Sequence, residues 1–313
     1  MKLTFLGTGA GRPNKTRNVT AAALQLPEPA CSWWLFDAGE AAQHMLMQLP
    51  LKLSKLSVVC VTHLHGDHLY GLPGLLSSRS FDGGVEPLRL FGPKGIRAYI
   101  ETTFKLTGTV LDYDLIIEEL EEGRTGLLYE GDGCNLEAAP LEHRIPCFGY
   151  RVIEPDAPGR LLTGKLEALG VPKGPLYGKL KRGETITLQD GTIVRPSDVI
   201  DGKLVGRIVT ILGDTSPCAN AVKLADGADL LVHEATFAAG MEEKARAFGH
   251  STTMDAARTA KEAGARRLIM THFSGRYSLE DLSGLREEAA SLFPSADVAT
   301  DLAVFEVERC KMG

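Results

Sequence analysis

Val58-Val59-Cys60-Val61-Thr62-His63-Leu64-His65-Gly66-Asp67-His68 decides how this chain is read. The apolar, β-branched run at its start has the signature of a buried strand, and it gives way at once to three imidazoles and a carboxylate. In an extended segment His63 and His65 project from one face, because side-chain direction repeats every two residues. Gly66 permits a sharp turn that carries Asp67 and His68 to a neighbouring point. The reading is two adjacent metal positions sharing one loop, and imidazole with carboxylate favours zinc, manganese or iron.

A chain of 313 residues has room for one large α/β domain or two smaller ones. With 44% hydrophobic and 24% charged residues the composition is that of a soluble globular protein. No run of 18 apolar residues occurs, and Met1-Lys2-Leu3-Thr4-Phe5-Leu6-Gly7 starts directly as a strand, so neither a membrane span nor a signal peptide is expected. Six cysteines (Cys31, Cys60, Cys134, Cys147, Cys218, Cys310) are scattered without a CxxC pair, which points to reduced thiols in a cytoplasmic protein. A net charge of -6 argues against general nucleic-acid binding, so any such role must rest on a local patch.

Outward from the histidine stretch, strands alternate with helices. A first strand over 2–6 runs into Gly7-Thr8-Gly9-Ala10-Gly11, which lacks the spacing and lysine of a P-loop. A hairpin over 21–26 and 32–36 ends in Asp37-Ala38-Gly39, and a helix over 40–48 carries His44, expected to pack or hydrogen-bond. Trp33 and Trp34 offer surfaces for base stacking, with one of the pair expected to face inward. Residues 69–78 are expected to be helical but interrupted by Pro73, followed by a strand at 88–91, a helix at 96–105 and strands at 115–120 and 136–141. Later strands at 207–212, 229–232 and 267–270 end in Asp214, in His233-Glu234 and in Thr271-His272. A helix begins near Ser251, and the chain closes with a helix over 279–292 and a strand pair over 297–307. Polar residues delivered at strand ends are where sites of α/β proteins commonly form.

Residues 155–199 differ in character. Glycines and prolines break any regular core pattern, and from 159 to 183 Arg160, Lys165, Lys173, Lys179, Lys181 and Arg182 face a single acid, Glu167, a local +5. A flexible basic insertion on an acidic body suits a polyanion.

Five of the eight histidines sit at or just after a strand end in a position to coordinate metal. One metal is expected on His63, His65 and His143, the other on Asp67, His68 and His272, with Asp214 bridging. Two cations held roughly 3.5–4 Å apart share a hydroxide and neutralise charge on a phosphoryl or carbonyl oxygen.

The 62–68 motif followed by His143, Asp214 and His272 resembles the metallo-β-lactamase superfamily and, within it, the ribonuclease Z family of tRNA 3′-processing endonucleases. Pro13-Asn14-Lys15-Thr16-Arg17-Asn18 fits the family's P-x-K-x-R-N loop. Gly170-Val171-Pro172-Lys173-Gly174-Pro175-Leu176-Tyr177-Gly178-Lys179-Leu180 fits the Gly/Pro-rich hand of its tRNA exosite, and His233-Glu234-Ala235-Thr236 its H-E-A-T loop. Thr271-His272-Phe273-Ser274-Gly275-Arg276-Tyr277 fits the last ligand motif, departing only at Gly275, where serine is more usual.

The resemblance implies an αβ/βα sandwich of two mixed sheets flanked by helices, a single domain over 1–313 with a protruding flexible basic arm inserted at 155–199. It implies two zinc ions per subunit (or manganese or another divalent ion), a homodimer, precursor tRNA as partner and no membrane. Asp67 would orient the bridging hydroxide and His250 would protonate the leaving oxygen, with His233 and Glu234 tuning His250. Lys15, Arg17, Asn18 and Arg276 would contact substrate at the site; Lys173, Gly174, Pro175, Lys179, Lys181 and Arg182 would do so on the arm. The cut would leave a tRNA 3′-hydroxyl and a trailer 5′-phosphate. The competing readings are a metallo-β-lactamase-fold hydrolase of small esters, thioesters or cyclic nucleotides, and a non-catalytic RNA-binding scaffold.

Overall fold

Two seven-stranded mixed sheets carry the larger part of the molecule. The computed structural model describes residues 1–28 and 30–309, so Cys310 lies outside it. The first sheet runs, in spatial order, Val304–Glu306, Lys2–Gly7, Ala21–Gln25, Trp33–Phe36, Leu56–Cys60, Leu88–Pro93 and Leu115–Leu120. The second runs Ala296–Val298, Leu268–Thr271, Leu230–Glu234, Ile208–Ile211, Cys147–Ile153, Cys134–Leu141 and Gly126–Gly131. Each sheet is parallel over four neighbouring strands and antiparallel over the rest.

Strand alternation builds the layers. Trp34 and Phe36 point between the sheets with Leu3, Phe5, Phe91, Phe148 and Tyr150, while Trp33 and Leu35 point to the helices with Leu72, Leu75 and Ile96. Leu231 and Met270 do the same on the second sheet, packing on the alanine face of Thr253–Glu262. Each large apolar side chain so enclosed contributes about 1.5–3 kcal/mol of transfer free energy. Both tryptophans are buried, at 2% and 0% exposure, and their indole N–H groups donate to the Lys52 carbonyl and to Asp132; neither is available to stack a base.

Several expectations shift. Pro73 lies in the first turn of the helix Leu72–Phe81, where its missing N–H costs nothing, and it starts that helix instead of interrupting one. The last two strands do not pair with each other: Ala296–Val298 adds to the second sheet and Val304–Glu306 to the first. His44 is exposed. Of the described cysteines none is in a disulfide, and Cys60, Cys134 and Cys147 are buried. Among the described residues no helix is long and apolar enough to cross a membrane.

The chain divides into two compact units: Met1–Ile153 with Ile208–Val307, and Glu154–Arg207 with Glu308 and Arg309. The smaller unit corrects the expectation of a segment without a regular core. It has an antiparallel pairing of Ala157–Leu161 with Ile200–Leu204 and a hairpin of Ile186–Thr187 with Ile193–Val194. Its helices Thr163–Ala168 and Pro175–Lys181 close over a cluster of Leu166, Val171, Leu180, Ile186, Val194 and Val199. The glycines punctuate that structure. Gly183 takes a positive φ of 83° after Pro175–Lys181, and the Glu184 N–H reaches back to the Lys179 carbonyl, a Schellman stop.

Candidate active site

Strand ends of both sheets supply the donors. The strand Leu56–Cys60 delivers Thr62 and His63, and the backbone N–H of Phe148 donates to the Thr62 carbonyl at 2.9 Å, tying the two sheets together there. His65 caps the one-turn helix Gly66–Leu69, which carries Asp67 and His68. Gly66 leaves room for the Tyr70 ring: a Cβ would stand 2.1 Å from its Cε2, and the exposed ring would have to swing away. From the second sheet come His143 after Cys134–Leu141, Asp214 after Ile208–Ile211 and His272 after Leu268–Thr271. His272 adopts a left-handed φ of 60°, a strained backbone that Phe273 N–H donating to the Thr8 carbonyl at 2.9 Å helps hold.

These residues converge in two sets. His63 Nε2 and His143 Nε2 lie 3.0 and 3.2 Å from His65 Nδ1, and His63 Nε2 lies 3.6 Å from Asp214 Oδ2. Opposite them, His68 Nε2 and His272 Nε2 are 3.2 Å apart; each also faces Asp67 Oδ2, at 3.7 and 3.4 Å. Asp214 Oδ2 belongs to both sets, 3.5 Å from His68 Nε2 and 3.4 Å from His272 Nε2. Four-coordinate zinc with donors near 2.05 Å would separate them by about 3.3 Å.

The ring nitrogens facing away fix the tautomers. His68 Nδ1 donates to Asp37 Oδ2 at 2.8 Å, and His143 Nδ1 donates to the Gly249 carbonyl at 2.7 Å. Thr62 Oγ1 donates to Asp37 at 2.8 Å and so accepts from His63 Nδ1 at 3.0 Å. Thr236 Oγ1 donates to Glu234 Oε2 at 2.7 Å and accepts from His272 Nδ1 at 2.9 Å. In all four rings Nε2 is thereby left with its lone pair turned inward, the arrangement that metal-ligating histidines require.

Protonation preferences agree for His63, His65 and His143, whereas at His68 burial is outweighed by the charges of Asp214 and Asp37, which hold it well above the usual histidine range. Burial, assisted by neighbouring imidazoles, holds His63 well below the usual histidine range and lowers His65 and His143, which keeps these donors neutral. Burial opposes ionisation of Asp214, but the imidazoles of His272, His68 and His63 overcome it and hold the carboxylate ionised. For Asp67 the same contest, won by the His272 hydrogen bond and the His68 charge, ends well below the carboxylate range. Converging lone pairs and buried anionic oxygens fit a pair of divalent cations: neutral imidazoles offer nitrogen, and two carboxylates offset the charge.

Beside this centre stands His250. Its Nδ1 donates to Glu234 Oε1 at 2.9 Å and lies 3.8 Å from Asp214 Oδ2. Burial pulls the imidazole down, but the Glu234 hydrogen bond and the charges of Glu234 and Asp214 outweigh it and lift the pKa to about 9. Glu234 is fixed in turn by N–H groups of Thr215, Ser251 and Thr236 at 3.0–3.1 Å. His233, its chain neighbour, points to the other face of the strand. It is fully buried, bonds the Glu234 carbonyl at 2.7 Å, and makes no hydrogen bond to His250.

Of the substrate contacts expected near the centre, Lys15 and Arg276 are exposed. Arg17 is turned inward at 1% exposure, stacked 5.8 Å from the Phe273 centroid and donating to the Tyr277 carbonyl. Asn18 is 8% exposed and gives its backbone N–H to Asp301 and its carbonyl to Thr8 and Gly9. Three positions with no role assigned from sequence prove structural to the site. Asp37 braces two imidazoles, Thr236 links Glu234 to His272, and Gly11 N–H donates to Asp67 Oδ2 at 2.6 Å. Asp37 alone carried a signal, a carboxylate at a strand end before Ala38-Gly39.

On the described geometry the chain can be set beside known proteins. A family model, "Anti-Pycsar protein Apyc1", matches residues 1–110, about a third of the chain. Among solved structures, the short form of human tRNase Z superposes with a TM-score of 0.71 at 31% identity, over 98% of this chain and all of that one. The metallo-β-lactamase fold protein YhfI from Bacillus subtilis superposes with a TM-score of 0.66 at 22% identity over 97% of this chain and 98% of that one, a likeness of fold. Ribonuclease BN of Proteus mirabilis is 47% identical over 98% of this chain and 100% of its own length. Ribonuclease Z of Bacillus licheniformis is 50% identical over 99% of this chain and 100% of its own length. With that identity sustained end to end on a metallo-β-lactamase fold, the chain belongs to the ribonuclease Z family.

Proposed function

We propose that the protein is a metal-dependent endoribonuclease that removes 3′ trailers from tRNA precursors, leaving a tRNA 3′-hydroxyl and a trailer 5′-phosphate. The observation that carries this is the sharing of Asp214 Oδ2 by two sets of donors, with His250 held on Glu234 beside them. His63, His65, His143 and Asp214 would hold one cation, and Asp67, His68, His272 and Asp214 the other; zinc suits the nitrogen-rich set. When bound, such cations supply Lewis acidity, easing deprotonation of the attacking water and screening charge on the phosphoryl oxygens.

The protein's own groups do the rest. Asp67, steadied by Gly11 N–H, orients the attacking water in line with the departing 3′ oxygen. His250, kept protonated at neutral pH by Glu234, gives its proton to that oxygen from the ring nitrogen not bonded to Glu234. Lys15 and Arg276 clamp phosphate, while the inward-turned Arg17 braces the 273–277 loop.

The unit at 154–207 serves as the tRNA exosite. Lys179 and Lys181 are exposed on Pro175–Lys181, whereas Lys173 and Arg182 pair with Glu167 and Glu184 at 3.1 and 2.8 Å. Exposed cations that read phosphates and shape suit a folded RNA. A homodimer, in which one subunit's exosite presents tRNA to the other's site, and a cytoplasmic location complete the reading. Removing residues 160–183 tests it. Loss of precursor cleavage with hydrolysis of a small phosphodiester retained supports the exosite, and undiminished precursor cleavage contradicts it.

A further inference from the structure

Around His250 three elements bring cations together, two of them to one aromatic ring. Phe237 is buried, at 6% exposure, and its ring stands edge-to-face with His250 at 6.2 Å. Arg276, from the loop after Leu268–Thr271, places its guanidinium carbon 5.3 Å from the Phe237 centroid. Lys244, on the helix Glu242–Phe248, places its ammonium 5.8 Å from the same centroid. Arg144 runs past Gly249, the residue before His250: a Cβ on Gly249 would lie 3.1 Å from Arg144 Cγ.

All three cations are exposed, and among the described residues none has a carboxylate within ion-pair distance. Two nearby acids are engaged elsewhere. Glu242 accepts from Gly240 N–H, and Glu288 accepts from Ala239 N–H and the Thr253 hydroxyl. Like charges gathered on one ring repel, and exposed cation–π contacts recover only part of that cost. The arrangement favours an anion spanning Lys244 and Arg276.

This inference rests on the proposed function, which also says which anion it is. In a cut that leaves a 3′-hydroxyl on the tRNA, the oxygen protonated by His250 is O3′ of the last retained nucleotide. Groups that flank His250 therefore meet the retained strand and not the trailer. We propose that Lys244, together with Arg276 over Phe237, binds the RNA phosphate immediately 5′ of the scissile one. Arg276 offers a planar fork and Lys244 a point charge, so the phosphate is both oriented and neutralised.

The test is a cross of protein and substrate variants, measured as kcat/KM on a trailer-bearing precursor tRNA. Lys244→Ala should lose roughly five- to tenfold on the unmodified precursor, mainly through KM, with Lys244→Arg largely restoring it. Its logarithmic dependence on salt should fall by about 0.7, the contribution of one phosphate contact on a single strand. On a precursor carrying a neutral methylphosphonate at the proposed position, wild type should drop and Lys244→Ala should drop no further. Full activity of Lys244→Ala on the unmodified precursor would overturn the assignment. So would an equal deficit on both substrates, since that marks a structural effect. A wild-type protein that cuts no precursor overturns the proposed function itself, and this inference with it.

Discussion

At the centre of the larger unit the charges of Asp214 and His68 are buried, whereas the lysines of the unit at 154–207 are exposed. Asp214 and His68 are 3% and 1% exposed; Asp37, itself held by Thr62, braces His68, and Thr236 braces His272. Lys179 and Lys181 stand in solvent on a short helix over a cluster of six buried apolar residues. On the proposed function, the difference follows from what each would have to do. Holding cations and moving a proton requires fixed lone pairs and shifted pKa values, which only burial with hydrogen-bonded support provides. Gripping phosphates needs charge but little precision, and exposed lysines keep their hydration until the ligand arrives.

Substitutions on the two sides should therefore differ in size and in kind. Asp214→Ala removes the oxygen shared by both donor sets. Precursor cleavage should fall by at least about a thousandfold, and elemental analysis should find fewer than the two ions expected per chain. His250→Ala should cost about 10²- to 10⁴-fold in kcat with metal content unchanged; a matching loss of metal would instead make His250 a ligand.

Glu234→Gln is subtler. Glu234 lifts the His250 pKa to about 9, so the acid form persists through neutral pH and is lost as pH rises through that value. Removing the charge lowers the pKa, and the basic limb of the rate profile should move to lower pH with a loss of roughly ten- to a hundredfold at pH 8. A basic limb that stays in place would disconnect Glu234 from proton donation. Smallest of all, Lys179→Ala with Lys181→Ala should raise KM by only about three- to tenfold. The effect should fade at high salt and leave kcat alone; a kcat effect would break the division between the two regions.

Much of this was readable in the sequence because the informative residues lie at strand ends. The 63–68 cluster is local, and His143, Asp214 and His272 each follow a short apolar run of the length of a buried strand. The bracing residues were not readable. Thr236 stands in the H-E-A-T stretch and Gly11 in the glycine run after the first strand, yet each braces the site through geometry set by distant segments that the stretch itself does not show. His233 and Glu234 are adjacent, yet strand alternation sends them to opposite faces, so only Glu234 reaches His250.

Arg17 shows how a motif residue can carry the loop and not the ligand: Asn14 and Arg17 close the turn, and the guanidinium packs on Phe273. The small core at 154–207 was hidden because its apolar residues are spaced by glycine stops rather than by a continuous helical or strand period. The closing strands looked like a pair from their proximity in sequence, but each completes the edge of a different sheet.

The most direct test is to incubate the metal-loaded protein with a precursor tRNA bearing a 3′ trailer and to map both new ends. The account predicts a tRNA ending in a 3′-hydroxyl and a trailer beginning with a 5′-phosphate, with no product from the Asp214→Ala variant. A 2′,3′-cyclic phosphate with a 5′-hydroxyl, or cleavage that survives loss of Asp214, would contradict it.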